Sequence, residues 1–236
     1  MRFESIIETP DDSQSPQQLC HHKNAPMNKP SLITLKVLVW IACLYPVAML
    51  VYGAVTNNLG PDPTKTITFS TGLAALRLLI LSLAITPLRK VWSRLSWLIK
   101  FRRLLGLFAF FYASLHLLTY MGLYSYWDPH VMVQDVLKRR FITAGVTAWL
   151  LLVPLALTST TGSIKRLGGK RWQQLHKLVY LSVCLGLLHY WWQVKSGVTT
   201  PLGLTVVMAI LFIARPVLDR WKDWWKARKA PKPGLA

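Results

Sequence analysis

From Leu35 to Val217 the chain runs as long apolar blocks separated by short polar breaks. Inside the blocks apolar residues follow one another without the two-residue alternation of a transmembrane strand. Crossing the hydrocarbon core takes roughly 20 residues of helix. Lipid offers the backbone no hydrogen-bond partners, so each block is expected to be a helix. Six spans are predicted: Leu35–Val55, Phe69–Leu88, Leu104–Tyr126, Phe141–Thr158, Leu175–Val194 and Leu202–Val217. The expected class is therefore an all-α integral membrane protein built as a six-transmembrane-helix bundle.

The polar breaks orient this bundle. Arg89, Lys90, Arg94, Lys100, Arg102 and Arg103 lie between spans two and three, and Lys165, Arg166, Lys170 and Arg171 between four and five. Arg215, Arg220, Lys222, Lys226, Arg228 and Lys229 gather at and after the end of span six. The break after span one holds only Lys65, and that after span five only Lys195. Alternation of rich and poor breaks is the positive-inside pattern, which puts both termini in the cytoplasm and the poor breaks in the periplasm of a bacterial inner membrane. Lys138, Arg139 and Arg140, set against Asp128 and Asp135, depart from it.

Composition agrees. Hydrophobic residues make up 53% of the 236 and charged residues 16%, where soluble domains carry about 25% charged residues. The net charge of +19 is placed by topology and does not point to nucleic acid; the partner it implies is membrane lipid. Residues 1–30 are polar, contain four prolines and read as a disordered tail with no secretory signal. Met27 leads directly into span one, so the tail has the look of an upstream start. Cys20-His21-His22 within it is too compact for a metal cage. The membrane domain is assigned to residues 31–218 and a basic cytoplasmic tail to 219–236. No CxxC, CxxCH, GxGxxG or P-loop pattern occurs, which argues against a structural zinc site, covalent haem and a nucleotide-binding domain.

Ionisable groups inside spans are costly and mark candidate sites. These are His116 in span three, His176 and His189 in span five, and Arg77 in span two. His116 lies 13 residues after Arg103, and His189 lies 12 after Lys177. At 1.5 Å per residue both sit about 18–20 Å above the same rim on two parallel helices. Two imidazoles at one depth can clamp one metal, and a b-type haem with two axial histidines suits an apolar bundle. Zinc prefers four ligands, and carboxylates are lacking at this depth. The competing reading is two packing histidines, each bonded to a neighbouring helix. His176, about 20 Å below His189, is open between an interfacial histidine, a ligand to a second haem, and part of a quinone or flavin site. Arg77, mid-span, is open between backbone bonding and pairing with a propionate, quinone oxygen or flavin phosphate.

Several stretches, taken in order, carry a resemblance. They are Leu59-Gly60-Pro61-Asp62-Pro63 with Thr71-Gly72; Leu76-Arg77 with Thr86-Pro87-Leu88-Arg89; Arg102-Arg103 and Leu105-Gly106-Leu107 leading into Phe110-Phe111-Tyr112 and His116; Thr158-Ser159; and Leu167-Gly168 with Trp172, Leu175-His176, Tyr180 and His189. Over about residues 33–215 the chain resembles the haem-binding membrane subunits of the bacterial periplasmic methionine-sulfoxide reductase system, the MsrQ family, within the ferric-reductase-like transmembrane group. The resemblance implies an electron-transfer subunit of an oxidoreductase complex. It would carry one or two b-type haems on histidines matching His116, His176 and His189, with flavin mononucleotide also attributed to the family. The implied donors are the quinone pool or a cytoplasmic flavin reductase. The implied acceptor is a periplasmic molybdopterin-dependent methionine-sulfoxide reductase subunit that repairs oxidised envelope proteins. Two other classes compete: a haem-independent transporter, disfavoured by the lack of an inverted repeat or acidic relay, and a transmembrane ferric reductase with a separate flavoprotein donor.

Overall fold

A computed structural model describes residues 29–194 and 199–229. The tail through residue 28, its Cys20-His21-His22 cluster, Lys195 and residues 230–236 lie outside the described residues. Among the described residues the chain is helical throughout, with no strand: α1 (Lys29–Val55), α2 (Pro63–Val91), a 3₁₀ segment (Ser93–Leu98), α3 (Ile99–Leu123), α4 (Pro129–Lys138), α5 (Arg140–Leu157), α6 (Thr161–Leu167), α7 (Gly169–Leu175), α8 (Leu178–Gln193) and α9 (Thr199–Lys229).

The helices start and stop where local chemistry dictates. Both α2 and α4 open on an Asp-Pro pair. The Asp62 side chain accepts from the Lys65 N–H, and that of Asp128 from the His130 N–H, while Pro63 and Pro129 occupy a first-turn position where a missing N–H costs nothing. Arg89 and Lys90 close α2 at its negative dipole end. Gly168 turns the chain between α6 and α7 at φ +73°, a conformation that suits a residue without Cβ.

Five helical stretches are long and apolar enough to cross a membrane: Ser31–Val55, Pro63–Val91, Leu95–Leu123, Arg140–Leu157 and Pro201–Trp225. Large apolar side chains face outward from them, among them Ile41, Tyr45, Ile210 and Ile213. Exposed apolar surface of this extent belongs against lipid, and the protein is a multi-pass membrane protein. The expected fifth span, Leu175–Val194, is shorter than the sequence suggested. Its helix has 16 residues because the turn tightens at His176 and Lys177, where the Lys177 N–H bonds the Gln174 carbonyl. Both junction residues keep right-handed helical angles, so α8 continues from α7 through a tightened turn and not a reversal. The last helix also runs through the 218 boundary to Lys229. The break after span three contains α4, and Arg139 there is paired with Asp135 at 3.0 Å, which in turn accepts from the Tyr120 hydroxyl.

The core is Leu76, Leu79, Ile80 and Leu83 of α2 packed with Leu152 and Leu155 of α5 and Val179, Val183 and Leu187 of α8. The closest pairings are α2 with α3 and α5 with α8. Four prolines lie inside helices (Pro46, Pro87, Pro154 and Pro216), and at two of them a group from another helix enters the interrupted ladder. Pro46 distorts α1, and the fully buried Tyr112 hydroxyl of α3 enters there, donating to the Cys43 carbonyl (2.7 Å) and accepting from the Val47 N–H (3.1 Å). Pro87 has no N–H for the Leu83 carbonyl four residues back. The guanidinium of Arg215 on α9 donates to that carbonyl at 2.7 Å and lies over the Tyr180 ring.

Candidate cofactor site

His116 projects from α3 and His189 from α8. Their ring centres are 5.9 Å apart, with the planes at 80°. Each Nδ1 meets a main-chain carbonyl: Thr68 for His116 at 2.8 Å and Phe141 for His189 at 2.7 Å. A carbonyl only accepts, so each Nδ1 carries the hydrogen and donates, leaving each Nε2 with a free lone pair. This is the tautomer a metal ligand needs, with its orientation fixed by a backbone partner.

Two glycines make the contact possible. A Cβ on Gly72 would stand 2.9 Å from His116 Nδ1, and one on Gly145 would stand 2.8 Å from His189 Nδ1. The two halves match in register: each accepting carbonyl lies 48 residues before its histidine, and each glycine 44 before it. The α2–α3 and α5–α8 pairs are thus built alike. Thirteen residues before His189 stands His176, while the equivalent place before His116 holds Arg103.

Two imidazoles sharing one metal at a metal–nitrogen distance of about 2 Å have ring centres about 6 Å apart, close to what is found. Among the described residues no group of three or more His, Cys, Asp or Glu side chains is gathered for a metal. The donor set therefore suits an ion whose other ligands come from a macrocycle, as in haem.

His176 lies apart from that pair, at the junction of α7 and α8. Its ring stacks on Trp172 (3.8 Å between centres, 28° between planes), and its Nδ1 donates to the Trp172 carbonyl at 3.1 Å. Trp172 is itself anchored by its indole N–H to the Thr158 carbonyl at 2.9 Å. The His176 Nε2 is buried without a hydrogen-bond partner, a costly state for a polar atom. It borders a cavity of about 270 Å³ whose polar lining includes Ser82, Arg102, Arg103 and Ser159.

Arg77 is not brought to either place. It is exposed on the outer face of α2 while its neighbour Leu76 is buried in the core. The cations at the His176 cavity are Arg102 and Arg103, which sequence reasoning left in a polar break. They are inside the helix because α3 begins at Ile99, five residues before the predicted span.

A membrane bundle with a facing histidine pair on two helices defines a class, and the comparisons give the same one: residues 71–187 match the ferric reductase like transmembrane component. Within that class the chain is 47% identical over 188 residues to a protein-methionine-sulfoxide reductase heme-binding subunit MsrQ from Herminiimonas arsenicoxydans, covering 79% of this chain and 86% of that protein. It is 42% identical over 206 residues to the MsrQ of Ralstonia nicotianae, covering 87% and 92%. With the MsrQ of Rhodospirillum rubrum the identity is 45%, covering 77% and 87%. The chain belongs to the MsrQ family.

Proposed function

We propose that this protein is a b-type cytochrome of the bacterial inner membrane, passing electrons to a periplasmic molybdopterin-dependent methionine-sulfoxide reductase. The observation that carries the reading is the His116–His189 pair, with both Nδ1 atoms committed to carbonyls and both Nε2 atoms free. Bound haem supplies a reversible one-electron iron couple. The imidazoles of His116 and His189 would hold it, with their tautomer fixed by the Thr68 and Phe141 carbonyls and water kept away by apolar helix packing. The names of the relatives support haem and the methionine-sulfoxide reductase partnership.

The reading includes six spans, with α7 and α8 together making the fifth, and both termini in the cytoplasm by the distribution of Lys and Arg. Electrons enter on the cytoplasmic side, from the quinone pool or a flavin reductase. His176, its free Nε2 and the cavity beside Arg102 and Arg103 form the entry site, as ligand to a second haem or as part of a quinone or flavin mononucleotide site. Arg102 and Arg103 answer there for the anionic group assigned to Arg77 on sequence grounds.

The test is a reduced-minus-oxidised spectrum with haem quantitation on purified protein, wild type and His116→Ala, His189→Ala and His176→Ala. Either of the first two is expected to lose most of one haem while still inserting. His176→Ala is expected to lower the haem ratio further if it ligates, or to slow reduction by donor with haem intact if it lines an entry site. Full haem in both His116→Ala and His189→Ala overturns the pairing.

A further inference from the structure

Outside the histidine sites, the end of α9 combines positive charge with exposed aromatic area. This helix has 31 residues, about 46 Å at 1.5 Å per residue, whereas the hydrocarbon core is about 30 Å thick and takes roughly 20 residues. Counted from Pro201, where the apolar stretch starts, the core ends near Arg220. Trp221, Trp224 and Trp225 then fall at the boundary, exposed by 59%, 44% and 48%. The rings of Trp221 and Trp225 are parallel within 9° at 6.4 Å, and the guanidinium of Arg228 lies 4.1 Å over Trp224.

Trp221 and Trp225 border a concavity. A cavity of about 340 Å³ opens between the end of α2 and α9, lined by Lys90, Val91, Leu218, Trp221, Lys222 and Trp225. Lys90 is held there by Asp219 at 2.6 Å. Lys222 has no acidic partner among the described residues. Arg89, Lys90, Arg220, Lys222 and Arg228 stand against Asp219 and Asp223, a local excess of three positive charges.

We propose that this cavity holds the phosphate headgroup of an anionic phospholipid, with Lys222 on the phosphate and the indoles of Trp221 and Trp225 along the glycerol and upper acyl region. Three features favour lipid over an acidic protein. The cavity lies at the end of the apolar stretch, where the adjoining phase is lipid. Indole rings prefer the headgroup level. Basic pockets between span ends are suited to anionic headgroups. The proposal is independent of the haem reading, since it uses none of the histidines.

The experiment uses the full chain with its haem in nanodiscs of phosphatidylcholine alone or mixed with phosphatidylglycerol. Native mass spectrometry reads retained lipid, the unfolding midpoint reads stabilisation, and the haem spectrum checks the rest of the protein. Wild type should retain phosphatidylglycerol and unfold at a higher temperature with it. Lys222→Gln should weaken retention about fivefold, the effect of one interfacial cation, and Trp221→Ala with Trp225→Ala should weaken it further. Lys170→Gln, a charge removed elsewhere, should change neither. Equal retention by wild type and Lys222→Gln overturns the proposal. Equal stabilisation by inorganic phosphate in phosphatidylcholine discs also overturns it, in favour of a free anion. Unchanged retention with slower reduction of Lys222→Gln by a soluble flavin reductase assigns the surface to that protein and removes the lipid.

Discussion

Gly72→Ala tests whether the backbone contact under His116 holds the ring where a ligand must be. The new methyl would stand 2.9 Å from Nδ1 and 3.0 Å from Cε1. That is several tenths of an ångström inside ordinary contact, and the helix backbone cannot retreat. The imidazole must tilt, at the expense of its 2.8 Å bond to the Thr68 carbonyl. Loss of such a bond costs about 1 kcal/mol and local overpacking about 1–3 kcal/mol. If half of the sum is felt in the ligand-bound state, affinity for haem falls by about 1–2 kcal/mol, or roughly 5- to 30-fold. The assay is haem titration into purified apoprotein, read at the Soret band, with the midpoint potential of what remains. Gly145→Ala should repeat the result at His189. Gly203→Ala, where the added Cβ meets nothing within 4 Å, should leave haem unchanged and stabilise α9 slightly, since Ala exceeds Gly in a helix by up to about 1 kcal/mol. Unchanged haem affinity and potential in Gly72→Ala would refute the argument.

Three further outcomes are expected. Tyr112→Phe leaves the Cys43 carbonyl and Val47 N–H without their shared partner and should destabilise by about 1–3 kcal/mol, seen as a lower unfolding midpoint with haem stoichiometry intact. Arg77→Gln should leave donor-driven reduction kinetics unchanged, whereas Arg103→Gln should slow them; the reverse pattern would return the entry site to Arg77. A chain starting at Met27 should keep the haem content and electron transfer of the full chain, as measured by spectrum and reduction rate.

The helices and the depth of the two histidines were legible because both follow from counting along the chain: apolar blocks give spans, and 13 and 12 residues from flanking cations give matched height. Azimuth was not legible. A helix that is apolar on nearly every side carries no signal for which face is inward, so mid-span Arg77 looked central although it points outward. Arg102 and Arg103 looked like loop charges although the helix had already begun at Ile99. The glycine support escaped for a related reason. Gly72 and Gly145 gain meaning only when paired with histidines 44 residues later, a register that shows itself once α2 lies on α3 and α5 on α8. The shortened α8 depends on a local tightening at His176 and Lys177 that hydropathy does not encode.

The bond from Arg215 to the Leu83 carbonyl sets an order on biogenesis. Pro87 strips that carbonyl of its partner as soon as α2 coils, yet the group that replaces it lies 132 residues further along the chain. That carbonyl therefore gains its Arg215 partner only when α9 packs on α2, which makes this contact a late one in assembly of the described bundle.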